Sequence, residues 1–245
     1  MCGFVGFTGL REQREAILHR MADRIIHRGP DMEGYHISGN DPRSAIALGF
    51  RRLSIIDLAA GKQPMYNEDG TVVCVFNGEI YNFMELRTEL QAKGHIFQTH
   101  CDTEVVLQSY AHWGPRCVEQ CNGIFAFAVW EHTAQRLFLA RDRIGVKPLF
   151  YAEIPGGLVF GSEIKALLQH PDVPHEIDQN GVADLLLLGP GRTPGYGVFR
   201  TIREVKPAHC GYYMQGSLHL HPYWELYAAV HTLSLIHISE PTRHL

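Results

Sequence analysis

The feature that most restricts this chain is a set of short, almost uninterrupted apolar runs. Ala45 to Phe50, Leu53 to Ile56, Val72 to Phe76, Ile124 to Trp130, Leu137 to Ala140, Leu149 to Tyr151 and Leu158 to Phe160 are rich in β-branched and aromatic residues. Most are closed by Gly, Pro or Asp-Gly, and a run apolar at every position, not every second one, reads as a strand buried on both faces. Asp69-Gly70 reads as the turn ahead of one such strand. The runs are separated by helical patterns at 11–26, 83–93, 103–113, 163–169 and 182–188. In the first of these, Ile17, Met21 and Ile25 and also Leu18, Ala22 and Ile26 fall at i, i+4 spacing. Groups of strands broken by pairs of helices imply α+β with stacked sheets, not an alternating parallel sheet.

Composition narrows the function. The 245 residues are 45% hydrophobic and 20% charged with a net charge of −4, enough to bury a core and without the basic patch that nucleic acid or an anionic membrane would require. Met1 to Phe7 has no basic lead into an apolar stretch, and no window has the apolar length of a spanning helix, so a cytoplasmic protein with no membrane or nucleic-acid partner is expected. The six cysteines form no CxxC pair, and no HExxH or phosphate-binding glycine loop occurs, so neither a metal nor a nucleotide cofactor is expected in this chain. His219-Leu220-His221 reads as a solvent-exposed or hydrogen-bonded pair on one strand face. Phe125, Phe127, Trp130 and Phe138 read as core.

Cys2 is the position with the most chemistry. If Met1 is removed, the residue carries both a thiol and a free α-amine, whose ordinary pKa of about 7.7–8.0 lets it accept the thiol proton near neutrality. The nucleophile then carries its own base.

Seven blocks, that of Cys2 included, stand in a telling order. They are Cys2-Gly3-Phe4-Val5-Gly6, His27-Arg28-Gly29-Pro30-Asp31, Arg52-Leu53-Ser54-Ile55-Ile56-Asp57, Asn77-Gly78-Glu79-Ile80-Tyr81-Asn82, Asp102-Thr103-Glu104-Val105, Gly123 to Ala128, and Ala140 to Gly145. Together they resemble the class II glutamine amidotransferases, and within them the N-terminal glutaminase domain of the glutamine-hydrolysing asparagine synthetases. The resemblance implies a four-layer αββα sandwich of the N-terminal-nucleophile hydrolase type over residues 2–225, and release of ammonia from L-glutamine. It implies Cys2 as nucleophile and Asn77 and Gly78 as oxyanion donors. Arg52 would clamp the substrate carboxylate, backbone groups from Leu53 through Ser54 and Ile55 to Ile56 would line the same wall, and Glu79 and Asp102 would take the ammonium. Asp102 taken alone reads as a helix N-cap, and Asn77-Gly78 taken alone as a hairpin turn. Arg51, facing away from Arg52 on an extended segment, reads as a solvated surface charge. The block from His27 to Asp31 is expected to support the nucleophile through turn geometry and charge pairing, and Cys101, which lacks a base, to play no catalytic part.

The same resemblance implies a synthetase domain in cis that uses ATP and Mg to activate aspartate, with residues 226–232 as the start of a linker to it. Residues 233–245 depart from the family, resemble translated sequencing-adaptor sequence, and are read as a non-native tail. A homodimer is left open. Two other readings also stay open: the glutaminase part of a different class II amidotransferase, and a catalytically silent glutamine-binding module.

Overall fold

In the computed structural model, which describes residues 2–53, 61–189 and 193–227, the apolar runs other than Leu53 to Ile56, most of which lies outside these residues, become the middle layers of a sandwich. The described elements run β1 (Gly3–Thr8), α1 (Arg14–Asp23), β2 (Met32–Ser38), β3 (Ile46–Arg52), β4 (Met65–Tyr66), β5 (Val72–Ile80), α2 (Phe83–Ala92), α3 (Asp102–Trp113) and α4 (Cys117–Gln120). They continue as β6 (Gly123–Glu131), β7 (Arg136–Arg141), β8 (Phe150–Ile154), β9 (Gly157–Gly161), α5 (Ile164–Leu167), α6 (Gln179–Leu188), β10 (Ile202–Glu204), β11 (His209–Met214) and β12 (Ser217–Pro222). Two six-stranded sheets result, in the orders β10-β8-β9-β1-β3-β2 and β12-β11-β7-β6-β5-β4. Neighbouring strands pair antiparallel throughout.

Strand alternation explains why both faces are apolar. Phe4, Leu48 and Phe50 of the first sheet meet Val73, Val75, Trp130 and Leu139 of the second. On the outer side of the first sheet, Val5, Phe7 and Ala47 pack on Leu18, Met21 and Ala22 of α1 and on Leu167 of α5. On the outer side of the second, Cys74, Phe76, Phe125, Phe127 and Phe138 pack on Leu86 and Leu90 of α2 and Val106 and Tyr110 of α3. The expected α+β sandwich of four layers, αββα, is what forms.

Several local readings change. The first helix is shorter than 11–26: Gln13 takes a left-handed φ of 55° at its start, and a separate 3₁₀ turn occupies Ile26–Arg28. Asn77-Gly78 is no hairpin turn, because β5 runs straight through it to Ile80 and pairs with β6 from Val72↔Glu131 to Ile80↔Gly123. The Asp69-Gly70 turn does form, with Gly70 at φ 70° and its N–H on Asn67 O at 3.1 Å. Arg51 is not solvated: it is 7% exposed, with Nη2 2.5 Å from Asp23 Oδ1 and Nη1 2.5 Å from Glu33 Oε2. β3 lies between β1 and β2, so a side chain on its outer face is covered by α1 and needs carboxylate partners there. Phe125, Phe127, Trp130 and Phe138 are all buried. His219 and His221 bond separately to Ser217 Oγ and Cys210 Sγ, at 2.9 and 3.7 Å.

Candidate active site

The two sheets bring their ends together at one cavity of about 120 Å³, whose walls include Cys2, Arg52, Asn77, Gly78, Glu79 and Asp102. Cys2 precedes β1, and the pairing of Gly3 with Arg51 sets the start of β1 beside the end of β3, where Arg52 stands. The Cys2 Sγ lies 3.6 Å from Leu53 O, to which the thiol donates. Arg28 fixes the backbone of this residue: its Nε donates to Cys2 O at 3.0 Å while its Nη1 contacts Glu163 Oε1 at 2.8 Å. His27 and Lys165 reach the same carboxylate, each at 3.0 Å. Burial pushes Glu163 up, but the hydrogen bonds from Arg28, Lys165 and His27 outweigh it and hold the carboxyl below its ordinary range. The supporting role expected of the His27 block thus has a concrete geometry.

The second sheet supplies donors. Asn77 follows Val73 and Val75 on the β5 face that looks toward the first sheet, is 1% exposed, and its Nδ2 is buried with no hydrogen-bond partner among the described residues. Such a buried amide costs free energy unless a ligand offers it an acceptor, and here it borders the cavity that holds the thiol.

The backbone of β5 adds a second donor. Opposite Gly78, Phe125 sends its N–H to Asp142 Oδ2 at 3.2 Å and receives Asp142 N–H at 2.8 Å, so both its polar groups point away from β5. Gly78 therefore turns its own N–H to the other edge of the strand, in line with those of Phe76 and Ile80 two residues either side. Those two are occupied, by Gln63 Oε1 at 2.6 Å and Asp102 Oδ2 at 3.1 Å. Gly78 must be Gly because an added Cβ would stand 2.4 Å from Ile124 O.

Asp102 is the first residue of α3 rather than its cap: Cys101 occupies the cap position with φ −85° and ψ 152°. Its carboxylate instead reaches across to β5. Burial pushes Asp102 up to about 6, with the charge of Glu79 adding to the effect and the Ile80 N–H opposing it. Cys101 also borders the cavity, and burial raises its thiol. Arg52 is 6% exposed, with Nη1 3.5 Å from Met32 Sδ, and Gly61 leaves room for its guanidinium, since a Cβ there would stand 2.6 Å from Nη2.

Cys2, Arg52, Leu53, Asn77, Gly78, Glu79 and Asp102 thus share one cavity, whereas Ser54, Ile55 and Ile56 lie outside the described residues, as do Met1 and 228–245. Gly61, Gln63, Thr103 and Lys147 border the cavity without having been given a role from sequence. Lys147 is the end of a loop folded around Asp142, a fully buried carboxylate that accepts N–H bonds from Phe125, Ile144, Val146 and Lys147. The signal for it was the Ala140 to Gly145 block, which stops two residues short.

The chain has counterparts among known proteins. A family model described as a glutamine amidotransferase domain matches residues 1–224. The chain belongs to that family. Asparagine synthetase (glutamine-hydrolysing) 3 of Bacillus subtilis is 42% identical over 95% of this chain and 38% of its own length. Asparagine synthetase (glutamine-hydrolysing) 2 of the same organism is 39% identical over 89% of this chain and 29% of its own. The chain therefore spans well under half the length of these relatives. Among solved structures, the glutamine phosphoribosylpyrophosphate amidotransferase of B. subtilis superposes with a TM-score of 0.64 at 18% identity, covering 91% of this chain and 49% of that one. A structure described as the allosteric regulatory enzyme of purine biosynthesis gives 0.66 at 20%, with the same coverage. At such identities the likeness is one of fold, and the amidotransferase sandwich is shared. No helix among the described residues is long and apolar enough to cross a membrane.

Proposed function

We propose that this chain hydrolyses the side-chain amide of L-glutamine with Cys2 as nucleophile, and that the carrying observation is the orphaned Asn77 Nδ2 facing the cavity of the thiol. With Met1 removed, the Cys2 α-amine takes the thiol proton directly or through water, and the thiolate attacks the amide carbon. The oxyanion formed accepts from Asn77 Nδ2 and the Gly78 N–H. The ammonium returns its proton to the leaving nitrogen, the C–N bond breaks, and ammonia departs from a γ-glutamyl thioester. Water then cleaves the thioester, releasing glutamate and restoring the thiol.

Arg52 offers its planar fork to the substrate α-carboxylate, a match that Lys would not reproduce. Glu79 and Asp102 take the α-ammonium. The backbone of Leu53 closes the wall between nucleophile and clamp, and residues 2–225 are assigned to one glutaminase domain.

The names of the relatives support a further step. In a longer protein of their length, the ammonia would pass to an aspartate activated with ATP and Mg by a synthetase domain in cis, giving asparagine. Neither ATP nor Mg has a part in the steps assigned to this chain. A cytoplasmic setting suits the six free thiols.

The test is direct. The purified chain, with Met1 loss verified by intact mass, should release glutamate and ammonia in equal amounts from L-glutamine, and Cys2→Ala should abolish both. Turnover unchanged in Cys2→Ala would sink the assignment.

A further inference from the structure

Gln63 does something in this site that its position in the sequence does not announce. It follows the undescribed segment 54–60 by a few residues, and its side-chain amide behaves as a piece of β-strand. Its Oε1 accepts the Phe76 N–H at 2.6 Å and its Nε2 donates to Phe76 O at 3.1 Å, the two bonds a neighbouring strand would make. β4 covers the β5 edge only at Val73 and Cys74, so Gln63 continues the pairing where β4 does not. The same Nε2 also donates to Thr103 Oγ1 at 3.2 Å, and Thr103 follows Asp102 at the start of α3.

Two of the groups assigned to glutamine are tied to this one side chain, and a third lies close along the chain. Phe76 precedes Asn77, so its clasp sets the pitch of the strand that carries Nδ2 and, one residue further, the Gly78 N–H. Thr103 ties down the turn that carries Asp102. Gly61, against which the Arg52 guanidinium rests, is two residues back along the chain. Along the β5 edge, Gln63 at Phe76 and Asp102 at Ile80 take the positions on either side of Gly78, whose N–H is left toward the cavity.

We propose that Gln63 is a positioning residue of the glutaminase site, a side-chain substitute for an edge strand that aligns the oxyanion donors on β5 and couples them through Thr103 to the ammonium-binding carboxylate. This rests on the reading of the site given above. Gln63 makes no bond to substrate; it acts through Phe76 and Thr103. A shift of well under 1 Å in the donors matters because they are needed in the transition state, so loss of the clasp appears in kcat, whereas loss of the Thr103 tie appears in KM.

The experiment compares Gln63→Leu, Thr103→Val and Thr103→Ser with wild type in L-glutamine hydrolysis. Each preparation is normalised by titrating Cys2 with an electrophilic glutamine analogue. Gln63→Leu keeps the bulk and removes all three bonds; we expect kcat to fall at least about tenfold and KM to rise at least about threefold. Thr103→Val should raise KM by a similar factor with kcat within about twofold, and Thr103→Ser, which keeps the hydroxyl, should restore wild-type KM. Gln63→Leu with kcat and KM per titrated site within twofold of wild type would overturn the proposal while leaving the glutaminase reading intact. The same holds if the loss lies wholly in the number of titrated sites. A wild-type chain that neither binds nor hydrolyses glutamine would overturn the reading and the proposal together.

Discussion

Asn77 and Asp102 border one cavity, yet the environment makes different demands on them. The Asn77 amide is neutral and buried without a partner for its Nδ2 among the described residues, so its cost is one of missing hydrogen bonds, which the proposed oxyanion would recover. Asn77→Ala should therefore lower kcat by about 10²–10³ with little change in KM, measured by glutamate release; an unchanged kcat would remove Asn77 from the mechanism. Asp102 is an acid whose charge is opposed chiefly by burial and also by Glu79, which moves it up to about 6. Only the ionised carboxylate attracts an ammonium. As pH falls through 6 the carboxyl gains its proton and binding weakens, so kcat/KM for glutamine should drop about tenfold per pH unit on that limb. In Asp102→Asn the limb near 6 should vanish and KM should be high at every pH. A profile identical to wild type would show that another group controls it.

At the scale of elements, the strand that carries the proposed donors is held by what surrounds it. β5 can lie close to β6 because Gly78 has no Cβ to meet Ile124 O, and Gly78→Ala would push the two strands apart at the point where the donors sit. We expect both a lower unfolding midpoint, by about 1–3 kcal/mol of stability, and a fall in kcat larger than that destabilisation explains. Removal of Asp142 acts through Phe125 of β6: Asp142→Ala leaves four N–H groups without their acceptor and should cost about 3–5 kcal/mol, read by urea titration. These elements also mark the limit of the sequence. Local patterning made Asn77-Gly78 a turn, because the pair is a turn signal and nothing local shows that β6 will pair with it. Arg51 looked like surface, because its partners Asp23 and Glu33 arrive from α1 and β2. Asp102 looked like a cap, because the chain alone does not reveal that Ile80 N–H lies in reach. Gln63 carried no local signal at all; its meaning comes from an edge that β4 leaves uncovered. Cys2 was different, since the chemistry of a terminal thiol and amine is contained in a single residue.

The whole molecule divides the site between its two middle layers. The apolar runs made the stacked sheets legible, because strands buried on both faces need a layer on each side; β2, β10 and β11 escaped notice, being mixed in polarity and partly exposed. The consequence of the stacking is functional. Cys2 leads into β1 and Arg52 ends β3 of the first sheet, Asn77 and Gly78 lie on the second, and their separation is set by the inter-sheet core of Phe4, Leu48, Phe50, Val75, Trp130 and Leu139. Activity should then report the integrity of that core, even where a substitution touches nothing in the cavity. Leu139 is fully buried on β7 and does not border the cavity. Leu139→Ala should cost about 2–5 kcal/mol through lost transfer energy and a residual void. If the sheets unfold as one unit, the urea midpoints for glutaminase activity and for far-UV circular dichroism should shift down together and stay coincident. Activity lost at a clearly lower urea concentration than secondary structure would instead mean that the sheets separate before they unfold, and that the inter-sheet core sets the site without setting the stability.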